Sequence, residues 1–408
     1  MKKIYFLFLT PFVLLGVQKI IAQNTLTHQV IICSGGNISD PEDFVTVASY
    51  SPVTGITTVF DTIYTQSVQD VLVNNEVAYV AAQDSIVKYD LNSYSRLSEV
   101  HAPGVHKLAI RNETLIATFW YPLTSGFVKT YSTSDLNPTF IYEGVTDEAD
   151  GIMVFPGNLY TVVAVPGGWA STSGKMAWLD IDNNELVTEH NMNEYGHGVS
   201  YFLTYYTGFP NNIAVTKTPW GDTTFLTYGF LNTGDPTGVY TYNGIMQGFT
   251  GQDNTILYAQ INDGIGRVDL ENHTLNENLI IEPPSLTISS SVYDSVNRQF
   301  YVSTTDYFST GLGTVYNIDG DEIGSYEAGI SPEAIAIDYR NNTTIEETLN
   351  SDFTLYPNPS SQTITIKTSG NAKFDRFKIT DISGRMVREQ ILDTDLGTTT
   401  FDIGNLRN

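Results

Sequence analysis

Along most of this chain, apolar and polar residues alternate in short runs and seldom recur at the three-to-four spacing of an amphipathic helix. Stretches such as AYVAAQDSIVKYDLN, residues 78–92, and FYVSTTDYFSTGLGTVYNID, residues 300–319, are rich in Val, Ile, Tyr and Thr. They are cut by Asn, Asp, Gly and Pro, the residues that punctuate hairpins, so the pattern predicts short antiparallel strands throughout.

The strands come in phrases. A similar four-strand unit opens near Asp70, His106, Asp150, His197, Gln247, Ser290 and Glu333, at successive intervals of 36, 44, 47, 50, 43 and 43 residues. Such periods belong to radially repeated four-stranded sheets, the blades of a β-propeller. The last phrase, PEAIAID, holds one strand, whereas HQVIICS, DFVTVASY and ITTVFD near the start of the body hold three without an inner partner. Joined, the two ends complete a blade. The expected fold is therefore all-β: a seven-bladed β-propeller over 24–340, closed by pairing of N- and C-terminal strands, which removes free sheet edges. Residues 198–243 fit this scheme with an irregular blade whose register the pattern does not fix.

The flanks differ from the body. Lys2 and Lys3 precede an apolar run from Ile4 to Val17 and a small-residue exit at Ala22, which reads as a cleavable signal peptide over 1–22. The run is too short for a bilayer span and is interrupted by Pro11 and Lys19, so no transmembrane segment is expected. After the body, NNTTIEETLNSD (341–352) reads as a polar linker, and 353–408 as a small separate β-sandwich.

Charge excludes some partners. The chain carries 20 Lys+Arg and 45 Asp+Glu; residues 353–408 take 7 and 6 of these, leaving 13 and 39 in residues 1–352. Removing Lys2, Lys3 and Lys19 with the signal peptide gives 10 − 39 = −29 for the mature body. Nucleic acid and anionic lipid are thereby disfavoured, since both are held by Lys and Arg. With Cys33 alone, no internal disulfide can form, and an exported body must rest on its core.

Two resemblances follow from particular residues. Tyr356-Pro357-Asn358-Pro359, the Asp381-Ile382-Ser383-Gly384-Arg385 turn and the closing Leu406-Arg407-Asn408 resemble the C-terminal sorting domain that Bacteroidetes attach to cargo of the type IX secretion system. That resemblance implies the secretion machinery as a partner, passage through the periplasm and a secreted or cell-surface destination. It also implies a Gly-x-Tyr-type last strand beyond Asn408. VAYVAAQDSIVKYDLN, ILYAQINDGIGRVDLEN and SPEAIAIDYRNN resemble the YVTN-type surface propellers, akin to quinoprotein amine dehydrogenase and lactonase-type propellers. It implies a ring around a channel and names no substrate.

Chemistry has two candidate seats. The residues opening the inner strands, Asp70, His106, Asp150, His197, Gln247, Ser290 and Glu333, face the channel mouth in such a ring. Of these, His106, His197, Asp150 and Glu333 are a weak divalent-metal candidate set. The second seat is the loops joining second to third strands, which project from the same side: Phe119-Trp120-Tyr121-Pro122, Pro166-Gly167-Gly168-Trp169, Thr218-Pro219-Trp220-Gly221 and Asp306-Tyr307-Phe308. Three of the four tryptophans lie there, and rigid aromatics suit contact with a sugar, corrinoid or protein surface; loop caps packing on one another are the plainer alternative.

Other signals read as turns. Asp180-Ile181-Asp182-Asn183-Asn184 lacks the glycine and bidentate glutamate of a calcium loop, and Asn317–Asp321 reads as an Asp-Gly turn. Asp61-Thr62-Ile63, Asp84-Ser85-Ile86 and Asp294-Ser295-Val296 resemble the O-glycosylation triplet of these bacteria. No Gly-x-Ser-x-Gly elbow, His-Glu-x-x-His pair or phosphate loop occurs. The expectation is thus an exported binding module with no catalytic residue assigned. Ligand contacts fall to Trp120, Tyr121, Trp169, Trp220, Tyr307, His106, His197, Asp150 and Glu333. The ligand is a small molecule, glycan or protein, corrinoid capture being the sharpest form. The rivals are a metal-dependent hydrolase or lactonase in the channel and a structural or adhesive surface protein.

Overall fold

The computed structural model describes residues 24–154, 160–167, 174–192, 199–205, 212–217, 223–228, 238–243, 246–272, 274–275, 279–342, 353–356, 362–368, 376–380, 386–391 and 398–402. Every described element is a strand. The chain divides into a compact unit, Asn24–Asn341, and a second unit that takes in Asn342–Asn408.

The first unit is a propeller, its strands forming seven four-stranded sheets. Blade 1 joins the two ends of the body: Pro332–Asn342 is its inner strand and pairs with Asn24–Ser34, which is followed by Val45–Ser51 and Ile56–Ile63. Blades 2 to 7 run in chain order from inner to outer strand, with inner strands Asp70–Asn74, Val105–Arg111, Ile152–Val154, Val199–Tyr205, Met246–Asp253 and Thr287–Asp294. From blade 2 to blade 7 these inner strands lie beside one another. Blade 5, unplaced by the sequence pattern, pairs Leu203 with Ala214 and Val215 with Leu226. The last strand of the body runs to Asn342, into the expected linker, while residues 343–352 lie outside the described set.

Burial explains why alternation weakens inside a blade. The middle strands Val77–Ala82, Ser85–Asp90 and Thr161–Val165 are buried nearly from end to end, because sheets cover both of their faces, whereas the outer strand Ser95–His101 alternates half-buried and exposed positions. The core is correspondingly interfacial. One apolar cluster joins Ile31, Val47 and Ala334 of blade 1 to Val71, Val80 and Tyr89 of blade 2. Another joins Val30, Ile32 and Tyr50 of blade 1 to Tyr301, Val315 and Tyr326 of blade 7. At about 25 cal/mol per Å² of apolar surface removed from water, these interfaces between blades hold the ring.

The second unit contains a three-stranded sheet, Phe353–Tyr356, Thr363–Thr368 and Thr398–Asp402, and a two-stranded sheet, Arg376–Thr380 with Met386–Ile391.

Candidate functional site

The opening of several inner strands is irregular in the same way. Register shifts fall between Val105 and Leu108, Met246 and Gly248, and Ile288 and Ser290. A bulge at a strand opening re-aims the side chains it carries. His106, Gln247 and Ser290 all sit at such shifts, so the polar set has a backbone device beneath it.

Three members of that set, Asp70, Ser290 and Glu333, reach the neighbouring blade. Asp70 Oδ2 accepts from the Leu108 N–H of blade 3 at 2.9 Å, and its Oδ1 accepts from Val71 N–H at 3.0 Å. Glu333 Oε2 accepts from the Val68 N–H leading into blade 2 at 2.9 Å, and Oε1 takes the Ser331 hydroxyl at 2.7 Å. Gly35 leaves room for that carboxylate, since a Cβ there would lie 2.6 Å from Oε2. Ser290 donates to the Pro332 carbonyl of blade 1 at 2.7 Å. These side chains clasp adjacent blades through backbone groups.

His106 is different. Its imidazole stacks on the Trp120 indole, with centroids 4.4 Å apart and planes 25° from parallel, and its Nδ1 lies 3.2 Å from Oδ1 of the buried Asp150 of blade 4. That approach is an ion-pair distance without hydrogen-bond alignment. Trp120 is itself anchored: its Nε1–H donates to the Ala149 carbonyl at 2.9 Å, and its backbone N–H to the Gly104 carbonyl at 2.7 Å. Gly104 has φ +77°, and a Cβ there would meet the Trp120 carbonyl oxygen at 2.4 Å, so this close approach requires glycine.

One position further, Tyr121 donates its N–H to Glu148 at 3.1 Å while leaving 82% of its surface exposed. Glu148 was not legible as a site residue. Burial raises its carboxyl above the ordinary glutamate range, with a further push from Asp147, against the Tyr121 N–H bond and His106. The loop and channel-mouth candidates therefore meet at one corner between blades 3 and 4. It brings together the Trp120–His106 stack, the carboxylates of Asp150 and Glu148 and one outward phenol.

The remaining candidates separate. Tyr307 lies on the blade 7 loop, half exposed and at φ +69°, and Glu333 is among the clasps. Trp169, Trp220 and His197 lie outside the described residues. The fourth tryptophan, Trp178, is buried in a middle strand, edge-on to His190 at 4.8 Å. Among the described residues no group of three or more His, Cys, Asp or Glu is placed to hold a metal ion. The Asp180 segment is a turn, Asn183 N–H and Nδ2 both reaching the Asp180 carboxylate, at 3.0 and 2.8 Å. Among the described residues no helix is long and apolar enough to cross a membrane.

Comparison with known proteins supports the same partition. Residues 354–408 match the secretion system C-terminal sorting domain. No curated protein matches the chain. Solved structures similar to it include a quinoprotein alcohol dehydrogenase-like protein of Bacteroides thetaiotaomicron, at 12% identity and TM-score 0.54 over 78% of this chain and 79% of that one. A 6-phosphogluconolactonase candidate of Bacteroides fragilis aligns at 11% identity and TM-score 0.54 over 76% of this chain and 98% of that one. Hydrazine synthase of Kuenenia stuttgartiensis aligns at 12% and 0.53 over 69% and 94%. At such identities the likeness is one of fold. The chain is a β-propeller carrying a type IX sorting domain, which directs it to the cell surface or the medium.

Proposed function

We propose that this exported propeller is a binding module whose ligand sits on the corner between blades 3 and 4, against Trp120, Tyr121, His106 and Asp150. The observation that carries the reading is the Trp120–His106 stack over a buried carboxylate. A purely structural tryptophan buries its indole in a sheet, as Trp178 does; Trp120 stands on a loop at the mouth with the exposed Tyr121 beside it. Flat aromatic faces favour ring-shaped small molecules and sugars, with polar groups at the edge fixing orientation. Trp169, Trp220, His197, Tyr307 and Glu333 belong to the same proposal as further ligand contacts. A planar or corrin-type ligand is the sharpest form of the proposal.

The test is native mass spectrometry of the full chain with a mixture of corrinoids, oligosaccharides and divalent metals. The expected result is a one-to-one organic adduct that Trp120→Ala weakens at least tenfold, about 1.4 kcal/mol. A metal adduct abolished by His106→Ala would favour a hydrolytic channel instead. A bare mass in every spectrum would leave a structural or adhesive role.

A further inference from the structure

A second exposed surface lies on the blade 7–1–2 side of the mouth. Blade 1 has its own second-to-third-strand loop, residues 35–44, and it carries Ile38 with 74% of its surface exposed. Beside it stand Tyr64, 80% exposed, whose ring meets Phe44 edge-on at 5.3 Å, and Phe308, 61% exposed, on the blade 7 loop. Large apolar side chains exposed on loops that are bonded to one another mark contact surfaces.

The loops form one fixed platform. Asn37 Nδ2 reaches the Phe308 carbonyl at 3.4 Å, joining blades 1 and 7. Gln66 Nε2 donates to the carbonyls of Asn37, Asp40 and Asp43 at 3.2, 2.6 and 3.1 Å, and Gln66 N–H donates to Gln83 Oε1 of blade 2 at 3.0 Å. On blade 7 the Asp306 carboxylate accepts from the N–H groups of Phe308 and Ser309 at 2.9 and 2.7 Å and from the Ser309 hydroxyl at 2.7 Å. Those bonds shape the tip and hold Tyr307 at positive φ, a costly conformation for a tyrosine that turns the chain outward.

Charge identifies the occupant. Segments 35–44, 64–69 and 306–312 contain four carboxylates, Asp40, Glu42, Asp43 and Asp306, and no Lys or Arg, and Lys107 of blade 3 reaches their edge at the Gln69 carbonyl, 2.9 Å away. The chain as a whole is strongly acidic, so a second copy would meet like charge here. We infer that this rim docks a basic polypeptide segment: aromatic or aliphatic side chains of the partner pack on Ile38, Tyr64 and Phe308, while its Lys and Arg face the surrounding carboxylates. Such a surface combines an apolar centre with charges at its edge, the arrangement in which apolar anchors give affinity and rim charges give rate and selectivity.

The experiment measures binding of the full chain to three fluorescent peptides by anisotropy: one alternating Lys with Phe and Leu, one with every Lys replaced by Glu, and one of Lys and Ser only. Binding of the first alone is expected, weakened at least tenfold by Tyr64→Ser with Phe308→Ser and, separately, by Asp40→Asn with Glu42→Gln. Val53→Ser, on an exposed hairpin tip elsewhere in blade 1, should leave it unchanged. Circular dichroism of each variant establishes that the propeller is intact, and the substituted side chains are at the surface. Equal binding of the Lys-Ser peptide would overturn the inference in favour of diffuse charge attraction. Insensitivity to both double substitutions would overturn it too, as would concentration-dependent dimerisation in sedimentation that Phe308→Ser abolishes.

Discussion

Asp61 shows how a single side chain links two blades and makes their contact depend on pH. Its carboxylate takes the Tyr89 hydroxyl at 2.7 Å and Arg96 Nη2 at 2.6 Å, so an outer strand of blade 1 is tied to blade 2. Burial alone would raise this carboxyl, but the bonds from Tyr89 and Arg96 outweigh it and hold the group below the ordinary aspartate range. A lowered folded value means the ionised form stabilises the fold above the unfolded value of about 3.9, and that stabilisation is lost as pH falls through that value toward the lower one. Urea unfolding of Asp61→Asn should therefore show a variant weaker than the parent at neutral pH, with the gap closing in acid. A gap that stayed constant with pH would sink the argument. At the blade 7 tip, the Asp306 carboxyl is pulled down to about 2 by its Ser309 and Phe308 bonds, so that one carboxylate stays ionised at neutral pH.

Blade 1 shows what a closing strand demands of its neighbours. Asp338, on the inner strand, is fully buried, and its Oδ2 accepts from Gln29 Nε2 at 2.9 Å and from Arg340 Nη2 at 2.7 Å. Arg340 continues to the Asn92 side chain at 2.6 Å, and Gln29 to the Leu91 carbonyl at 3.2 Å, so the hairpin of blade 2 is drawn into the same knot. Removing one partner of a buried charged pair leaves the other charge uncompensated, a loss of about 3–5 kcal/mol. Asp338→Ala should cost an amount of that order in denaturant unfolding. Asp319→Ala, in an exposed turn, should cost under about 0.5 kcal/mol, as surface substitutions usually do.

For the whole molecule, the ring is only as strong as its closure. The inner strand Pro332–Asn342 comes from the far end of the unit and pairs with Asn24–Ser34, so blade 1 has its inner strand only while that segment is in place. A chain ending at Ser331 should lose the single cooperative thermal transition expected of one ending at Asn342, and blade 1 should expose Val30 and Ile32 to a hydrophobic dye. Retained cooperativity in the shorter chain would show that closure is dispensable. Export through the sorting domain adds a reason for a strong ring, since Cys33, alone and buried, provides no cross-link outside the cell.

Strand content, blade period, the shared blade and the sorting motif were all legible in the sequence because each rests on local chemistry. Period-two alternation, Asn/Asp/Gly turns and the Tyr356–Pro359 run are properties of neighbours along the chain. The meeting of Trp120 with His106 and Asp150 was not legible, although each was singled out. Their residues come from a loop, a bulged strand opening and the next blade, and only packing between blades sets those distances. The same holds for Asp70, Ser290 and Glu333. Their polarity marked the mouth, but whether a carboxylate there faces a ligand or a neighbour's N–H is decided by the angle between adjacent sheets, which no local pattern encodes. Ile38, Tyr64 and Phe308 went unlinked for a related reason: Phe308 is far from the other two in sequence, and only closure of the ring brings blade 7 beside blade 1.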